Sequence, residues 1–324
     1  MHITTRWRAL LTLALVLAAG AHATAADSAK EVRIGYQKIG TLLVLKGRGT
    51  LEKRFAARGV TVKWIEFQSG PPLLEALNAR SIDIGYTGDT PPIFAQAAGV
   101  DFVYVAALPQ PGHSSAIVVT DASGIKTLAD LRGKRIAVTK GSSAQNVLVH
   151  VLEKAHIPYT GVTPVYLQPA DAAAALKGGS VDAWSIWDPF YALAVKDPGV
   201  HKLTDAYGIA PSNAFFLATR SFATGNPDLV TAIIEEATDV VKWTATHQNE
   251  VAGVLADASG VDLGAEKIIA ARGSYAIGYL TPDVIKQQQA IADTFAKLGL
   301  LPHPVVVQAA VWNPHAKVAA EQPR

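Results

Sequence analysis

The chain of 324 residues contains no cysteine. Disulfide bonds, thiolate metal sites and cysteine nucleophiles are therefore excluded, and so is a lipid anchor attached to an N-terminal cysteine. The net charge is also small, because 29 Lys and Arg stand against 27 Asp and Glu, and Arg6 and Arg8 account for the difference. Such a balance offers no electrostatic footprint for nucleic acid or anionic lipid, so neither is expected as a partner.

Sequence motifs of catalysis and cofactor binding are missing as well. The chain has no Gly-x-Ser-x-Gly elbow, no Gly-x4-Gly-Lys-Ser/Thr phosphate loop and no His-Glu-x2-His zinc motif. Its histidines are scattered without metal-ligand spacing. We therefore expect no metal, no cofactor and no enzymatic activity. Ser142 or Ser143 acting with a distant histidine stays open as an alternative.

Long apolar runs are rare in this sequence. Arg6 and Arg8 precede an apolar run over 9–19, and small-x-small triplets follow at 21–25. A basic start, a short apolar middle and a small-x-small end are typical of a secretory signal peptide. The run is too short to span a bilayer, and no later segment reaches about 18 uninterrupted apolar residues. We expect residues 1–25 to be a signal peptide that is removed by cleavage near its end.

The rest of the chain alternates between strand-like and helix-like segments. This alternation predicts an α/β fold in which helices flank parallel sheets. After Phe215 the pattern becomes mostly helical, and Asn226-Pro227 and Thr281-Pro282 each begin a long helix with a capping residue and a proline. The predicted strands cover 31–36, 60–67, 81–86, 102–107, 115–119, 134–139, 164–167 and 181–186.

An internal repeat points to two lobes. Residues 77–83 align with residues 176–182 at an offset of 99, and Asp89 falls on Asp188 at the same offset. The alternative is that αβ units resemble one another in general. On either interpretation, both halves place an aspartate turn at the carboxyl end of a strand, where ligands bind in open α/β sheets.

The turn at Gly141, Ser142 and Ser143 is the most informative of these strand ends. A glycine and two serines at the start of a helix offer backbone N–H groups and hydroxyl donors. The helix dipole places about half a positive charge at the same point. This arrangement predicts an anion site that needs no Lys or Arg. The alternative is that serine simply caps the helix.

A second turn carries Gly88, Asp89 and Thr90, and two prolines follow it. Because proline has no N–H, the remaining donors are the Gly88 and Thr90 amides and the Thr90 hydroxyl. An unpaired carboxylate would repel an anion. We therefore expect Asp89 to be tied to backbone N–H groups as a helix cap, with direct contact to a ligand as the alternative.

Two further strand ends carry candidate site residues. Trp187 precedes the turn at Asp188 and Pro189, so it forms either an apolar wall for a ligand or part of the core. Gln37 follows the first strand, and its amide can both donate and accept hydrogen bonds. A plain surface position is the alternative for Gln37.

Eight segments in combination resemble the aliphatic sulfonate-binding proteins of bacterial ABC importers. The resemblance covers nearly all of the chain beyond the signal peptide. It extends more loosely to taurine-, nitrate- and thiamine-precursor-binding proteins. The segments are IGYQK at 34–38, LEALN at 74–78, SID at 81–83, TGD at 87–89, PPIFAQA at 91–97, KGSS at 140–143, PAD at 169–171 and VDAWSIWDP at 181–189.

This resemblance implies a periplasmic binding protein fold of type II with two lobes. Each lobe would be a mostly parallel sheet flanked by helices, and two strands would cross between the lobes. Lobe one would comprise residues 30–115 and 215–324, and lobe two residues 116–214. The ligand would lie in the cleft between them.

The resemblance also implies a set of site residues. The sulfonate group would lie between the two helix starts at 87–90 and 141–143. Gln37 and the turn at Trp187 and Asp188 would complete the pocket. Asn213 would reach the cleft where the chain crosses back.

The implied function is capture of an alkanesulfonate by a periplasmic monomer, which delivers it unchanged to the permease and ATPase of an ABC importer for sulfur acquisition. One alternative is another oxyanion ligand, such as taurine, nitrate or a sulfate ester. The other alternative is an enzyme on the same fold, such as a desulfinase or a pyrimidine synthase. The absence of cysteine argues against those enzymes.

Overall fold

The computed structural model describes residues 29–210, 212–273 and 276–313. The predicted signal peptide at 1–25 lies outside these described residues. Within them, no helix combines the length and the apolar character that crossing a membrane requires.

Ten strands are present in the described part of the chain, and they form two five-stranded sheets. They are β1 (Glu31–Tyr36), β2 (Thr61–Glu66), β3 (Ile84–Thr87), β4 (Phe102–Gln110), β5 (Ser115–Thr120), β6 (Arg135–Val138), β7 (Thr163–Tyr166), β8 (Ala183–Trp187), β9 (Val200–Asp205) and β10 (Ser212–Thr219). The first sheet has the order β2-β1-β3-β10-β4, and the second has the order β7-β6-β8-β5-β9.

In each sheet four of the five strands run in the same direction, and in this sense the sheets are mostly parallel, as predicted. In the first sheet β10 runs antiparallel to its neighbours β3 and β4. In the second sheet β5 runs antiparallel to its neighbours β8 and β9. The chain crosses between the sheets twice, from β4 into β5 and from β9 back into β10. The exact lobe boundaries stay a prediction.

Helices flank the two sheets. They are α1 (Thr41–Arg48), α2 (Thr50–Ala56), α3 (Gly70–Asn78), α4 (Thr90–Ala97), α5 (Ser143–Lys154), α6 (Pro169–Lys177), α7 (Phe190–Ala194), α8 (Arg220–Gly225), α9 (Pro227–Thr246), α10 (Gln248–Ser259), α11 (Leu263–Ala271) and α12 (Pro282–Lys297). The segment between β1 and β2 forms two helices, α1 and α2, because Gly49 between them has a φ of +61° that ends the first helix.

Strand β10 is absent from the predicted strands because both of its faces are buried. Ala214, Phe216 and Ala218 face one apolar cluster of the first lobe. Phe215 and Leu217 face another on the opposite side of the sheet. A strand covered by helices on both faces shows no alternation of polar and apolar residues.

The internal repeat has a structural counterpart in the two sheets. Helices α3 and α6 both have nine residues, and they begin at Gly70 and Pro169, which are 99 positions apart. Strands β3 and β8 begin at Ile84 and Ala183, with the same separation. Each lobe therefore places an equivalent helix and strand at the same point of its sheet.

Candidate ligand-binding site

A cavity of about 160 Å³ is lined by residues of both lobes and of both crossing connections. Its volume is about ten times the 10–15 Å³ that one ordered water needs. Five of the ten predicted site residues line it, namely Gln37, Gly88, Ser142, Ser143 and Trp187. The other five, Asp89, Thr90, Gly141, Asp188 and Asn213, do not belong to its lining.

Three helices begin at one part of this cavity. Gly70 of α3, Gly88 just before α4 and Ser143 of α5 all line it. None of the three helices has a capping hydrogen bond from the side chain of its N-cap residue. The first amides of a helix have no partner within the helix, and the dipole makes this end positive. Two prolines follow the first residue of both α3 and α4, so these two helix starts offer fewer N–H donors than α5. The cavity therefore meets three positive helix ends without side-chain caps.

Small residues let these helix starts approach each other. A Cβ at Gly88 would lie 2.8 Å from the Ser143 Oγ atom, which is too close for a real side chain. A Cβ at Gly70 would collide with the Thr87 hydroxyl. Glycine at position 88 lets the turn after β3 meet the start of α5 across the cleft, whereas glycine at position 70 lets α3 approach the end of β3 within the first lobe.

Thr87 is a cavity residue that is missing from the predicted site. Its side chain is 1% exposed, and its hydroxyl has no hydrogen-bond partner among the described protein atoms. The residue lines the cavity beside Gly88. A buried hydroxyl without a protein partner is unfavourable unless something else bonds to it. The sequence predicted this turn as part of the site, but it pointed to the Gly88 and Thr90 amides and the Thr90 hydroxyl as donors and not to the Thr87 hydroxyl.

The donors of Ser142 are already engaged, which corrects the expectation that its hydroxyl serves the anion. Its Oγ donates to the Thr139 carbonyl at 2.7 Å, and its N–H donates to the same oxygen at 3.2 Å. The Gly141 N–H is engaged too, since it donates to the Gln145 Oε1 atom at 2.7 Å. Ser142 therefore forms part of the cavity wall. The donors that remain on this side are backbone N–H groups at the start of α5.

Asp89 makes no side-chain capping hydrogen bond to α4, contrary to the expected cap, although the expected tie to a backbone N–H is present in a hydrogen bond from Thr90. The backbone of Asp89 is already helical, with φ −67° and ψ −46°, whereas a capping residue is usually extended. Its carboxylate instead accepts from the Thr90 hydroxyl at 2.7 Å and from the Asn146 amide at 2.8 Å. The Thr90 hydroxyl is thereby engaged as well, and Thr90 is fully buried.

The bond between Asp89 and Asn146 joins the two lobes. Asp89 follows β3 of the first sheet, and Asn146 belongs to α5, which packs on the second. Burial raises the pKa of the Asp89 carboxyl, and the hydrogen bonds from Thr90 and Asn146 oppose that rise. Ser69 and Gln168 make a second bond between lobes at 3.0 Å. The described arrangement is therefore a closed cleft.

Asp188 is fully buried, but it faces an arginine and not the cavity. Both of its carboxylate oxygens bind the Arg272 Nη1 atom, at 2.9 and 3.0 Å. Burial raises the pKa of Asp188, and the charge of Arg272 opposes that rise. Arg272 also lies over the Tyr191 ring at 4.3 Å and lines the cavity. This arginine is a second residue that sequence reasoning missed.

Asn213 faces away from the cleft, which corrects the expectation that it reaches the ligand. Its neighbours Ser212 and Ala214 line the cavity. Because side chains alternate along a strand, Asn213 points to the opposite face. There its amide donates to the Gln287 Oε1 atom at 2.6 Å.

Trp187 and Gln37 both border the cavity. Trp187 is 9% exposed and packs edge-on against Phe190, so it belongs to the core and to the wall at once. The Gln37 amide donates to the Tyr86 carbonyl at 3.3 Å. Among the described residues, no group of three or more His, Asp or Glu could hold a metal ion.

Known proteins share this architecture. A family model described as NMT1/THI5 like matches residues 54–251. The structure of the alkanesulfonate-binding protein SsuA from Xanthomonas axonopodis pv. citri bound to MOPS is 40% identical, with a TM-score of 0.84, and the match covers 88% of this chain and 99% of that one. The chain belongs to the aliphatic sulfonate-binding protein family. Its predicted fold, the two-lobe periplasmic binding protein fold of type II, is confirmed.

Two other solved structures are similar to this chain to different degrees. The periplasmic aliphatic sulphonate binding protein SsuA from Escherichia coli is 37% identical over 92% of this chain and 96% of that one, with a TM-score of 0.80. The desulfurization enzyme DSZB is 18% identical over 86% of this chain and 96% of that one, with a TM-score of 0.63. The likeness to the enzyme is one of fold alone.

Proposed function

We propose that this protein binds an alkanesulfonate in the cleft between its lobes and delivers it unchanged to an ABC importer. The observation that carries the proposal is the convergence of three helix starts without side-chain caps on one cavity. A sulfonate is a tetrahedral anion whose three oxygens can accept hydrogen bonds from several directions. Helix starts supply such donors together with a favourable dipole.

The head group would lie beside Thr87, Gly88 and Ser143. The Thr87 hydroxyl would donate to a sulfonate oxygen, since it has no partner among the described protein atoms. The amides at the starts of α4 and α5 would donate from the two lobes. A ligand held from both lobes in this way favours the closed cleft, as expected for hinge closure around a ligand.

Trp187 and Gln37 would contact the ligand beyond its head group. Trp187 would supply an apolar surface, and Gln37 would border the head group with its amide. Asp89 and Asp188 would act from behind the cavity wall, since neither lines it. Their carboxylates hold the lobes together through Asn146 and Arg272.

The related SsuA structure with MOPS supports the same substrate class, because MOPS carries a sulfonate on a propyl chain. A small oxyanion such as nitrate is the second candidate, because helix starts bind an anionic group and do not distinguish a ligand that has a carbon chain from one that has none. The cavity favours a ligand with a tail, because aliphatic side chains make up much of its lining.

We propose a binding role without catalysis. The Ser142 hydroxyl donates to a backbone carbonyl, and no histidine is among the described residues that line the cavity. A nucleophile activated by histidine needs the two side chains within hydrogen-bond reach. The permease and ATPase partners, the periplasmic location and the monomeric state are part of this proposal through family membership.

A thermal-shift panel tests the proposal. The ligands are ethanesulfonate to decanesulfonate, taurine, sulfate and nitrate. A ligand at 100 times its dissociation constant stabilises the folded state by about 2.7 kcal/mol, so binding sulfonates should raise the melting temperature. A shift with nitrate or sulfate and none with any alkanesulfonate would overturn it. Release of sulfite or sulfate from a bound sulfonate would instead reveal an enzyme.

A further inference from the structure

Two buried glutamines lie behind the cavity wall. Gln37, Gln145 and Gln288 are the glutamines that are buried among the described residues, and of these Gln37 lines the cavity. Gln145 belongs to α5 and Gln288 belongs to α12, and each is only 1% exposed. Because a buried amide needs hydrogen-bond partners, the partners of these two side chains show which parts of the structure they hold in place.

Gln288 holds the turn that precedes α4. Its Nε2 atom donates to the Asp89 carbonyl at 2.6 Å and to the Tyr104 hydroxyl at 3.3 Å. A carbonyl can only accept a hydrogen bond, so the Nε2 end of the amide must face the turn. The Gln288 Oε1 atom is then buried without a hydrogen-bond partner among the described protein atoms. Such an acceptor costs stability, so stability alone does not explain a glutamine at this position.

Gln145 holds the turn that precedes α5 in a similar way. Its Oε1 atom accepts from the Gly141 N–H at 2.7 Å, and its Nε2 atom donates to the Tyr159 hydroxyl at 2.9 Å. Gly141 has a φ of +71°, and the bond to Gln145 fixes the direction of its peptide group. The Tyr159 ring packs against apolar clusters of both lobes, and this packing holds the ring in place.

We infer that Gln288 and Gln145 are positioning residues that orient the starts of α4 and α5 toward the anionic head group. The inference rests on the proposed function, because it takes these helix starts as the anion site. It goes further in assigning part of the affinity to two side chains outside the cavity lining.

The bonded turn residues are direct neighbours of cavity residues. Gln288 binds the backbone of Asp89, which follows Gly88, and Gln145 binds the backbone of Gly141, which precedes Ser142. Gly88 and Ser142 both line the cavity. Donors stabilise an anion best when their direction is fixed before the ligand arrives, and side chains behind the site supply that rigidity.

Gln289, the next residue of α12, provides a matched control. Its Nε2 atom donates to the Asp293 carboxylate at 2.8 Å and to the Val305 carbonyl at 2.9 Å. Its Oε1 atom accepts from the Val307 N–H at 2.9 Å. None of these partners lines the cavity. Replacing Gln289 therefore breaks more protein hydrogen bonds than replacing Gln288, but it leaves both turns intact.

Titration calorimetry with ethanesulfonate, combined with urea unfolding, tests the inference. Gln288→Met and Gln145→Met should each weaken binding by at least about tenfold. Methionine is flexible and unbranched like glutamine, so the packing is largely kept. Gln289→Met should lower the urea midpoint of unfolding and keep the affinity within about threefold. Equal weakening of binding by all three variants would indicate a general effect of lost stability and would overturn the inference.

Amide NMR spectra separate positioning from a general loosening of the fold. Saturating ethanesulfonate should shift the amide signals of Gly88 and Ser143 in the wild type. Gln288→Met should reduce the shift at Gly88 and keep the shift at Ser143, and Gln145→Met should do the reverse. Reduction of both shifts by either variant would contradict the separate role of each glutamine and overturn the inference.

Tyrosine variants keep the test decisive if a glutamine variant does not fold. Tyr159→Phe removes the hydroxyl that Gln145 binds and keeps the ring, and Tyr104→Phe does the same for Gln288. Each should weaken ethanesulfonate by at least about threefold. Wild-type affinity in the folded variants would overturn the inference and leave the proposed function intact. Failure of every alkanesulfonate to bind the wild type would overturn both.

Discussion

Replacing Thr87 by valine should weaken ligand binding without weakening the fold. The hydroxyl is buried and has no partner among the described protein atoms, so the ligand-free protein loses no protein hydrogen bond when it is removed. Valine has nearly the same shape, and removing an unsatisfied buried polar group is neutral or stabilising. In the complex, the same hydroxyl donates to a charged sulfonate oxygen, and such a bond is worth about 1.5–3 kcal/mol.

Affinity for ethanesulfonate should therefore fall by about tenfold to about a hundredfold. Titration calorimetry gives the affinity, and urea unfolding of the ligand-free protein gives the stability. Thr139→Val is the matched control, because the Thr139 hydroxyl donates to the Leu167 carbonyl at 2.9 Å and Thr139 does not line the cavity. The control should lose about 1 kcal/mol of stability and keep its affinity. Unchanged affinity in a folded Thr87→Val protein would refute the placement of the head group.

Three further substitutions have distinct expected outcomes. Ser142→Asp should lower sulfonate affinity at least about a hundredfold, near 2.7 kcal/mol, because it adds a carboxylate to the anion site. Circular dichroism should show that the variant is folded. Wild-type affinity in a folded variant would mean that the anion binds elsewhere. Arg272→Met should lower the free energy of unfolding by about 3–5 kcal/mol, because Asp188 loses its buried partner; adding Asp188→Asn should restore most of it, and failure to do so would contradict the pairing. Burial raises the pKa of Asp89 above its ordinary value of 3.8, so the unfolded chain releases this proton first and stability should fall as pH rises from 3.8 through the folded pKa. Asp89→Asn should remove that part of the decline in stability, measured by urea unfolding as the pH is raised above 3.8, and an unchanged profile would contradict it.

The features that sequence reasoning predicted are those with local causes. The strand ends at Thr87 and Trp187 follow from apolar runs that stop at polar turns. The helix starts at Thr90 and Ser143 follow from proline, glycine and serine at positions where these residues favour a helix N-terminus. Such signals lie within a few residues of one another, so the fold class and the position of the cleft could be inferred from them.

The features that were missed depend on contacts between distant segments. Arg272 lies 84 positions beyond Asp188, directly after α11, and nothing in the neighbouring sequence indicates that it pairs with a buried carboxylate. Asp89 binds Asn146 across the cleft, 57 positions away, and a helical backbone prevents it from capping its own helix. Local propensity favours the cap for such a residue, but lobe closure supplies a partner that a sequence pattern cannot reveal.

Strand β10 is a third feature that was missed, because it is buried on both faces and shows no alternation of polar and apolar residues. Its residues alternate between two apolar clusters, so the strand lacks the polar face that would reveal its period. The wrong prediction that Asn213 reaches the cleft has the same cause. Because β10 was not recognised as a strand, nothing indicated on which face of the sheet the Asn213 side chain lies. Neighbouring Ser212 and Ala214 line the cavity in its place.

Titration calorimetry of the mature protein with ethanesulfonate, followed by nitrate, tests the binding of a sulfonate most directly. The three helix starts and the unpartnered Thr87 hydroxyl predict saturable binding of one ethanesulfonate per chain, and mass spectrometry should recover that ligand unchanged. They also predict that nitrate competes weakly, because it offers no group to the aliphatic lining. Absence of heat with ethanesulfonate and with longer alkanesulfonates, together with tight binding of nitrate, would contradict the assignment of this cleft to sulfonates.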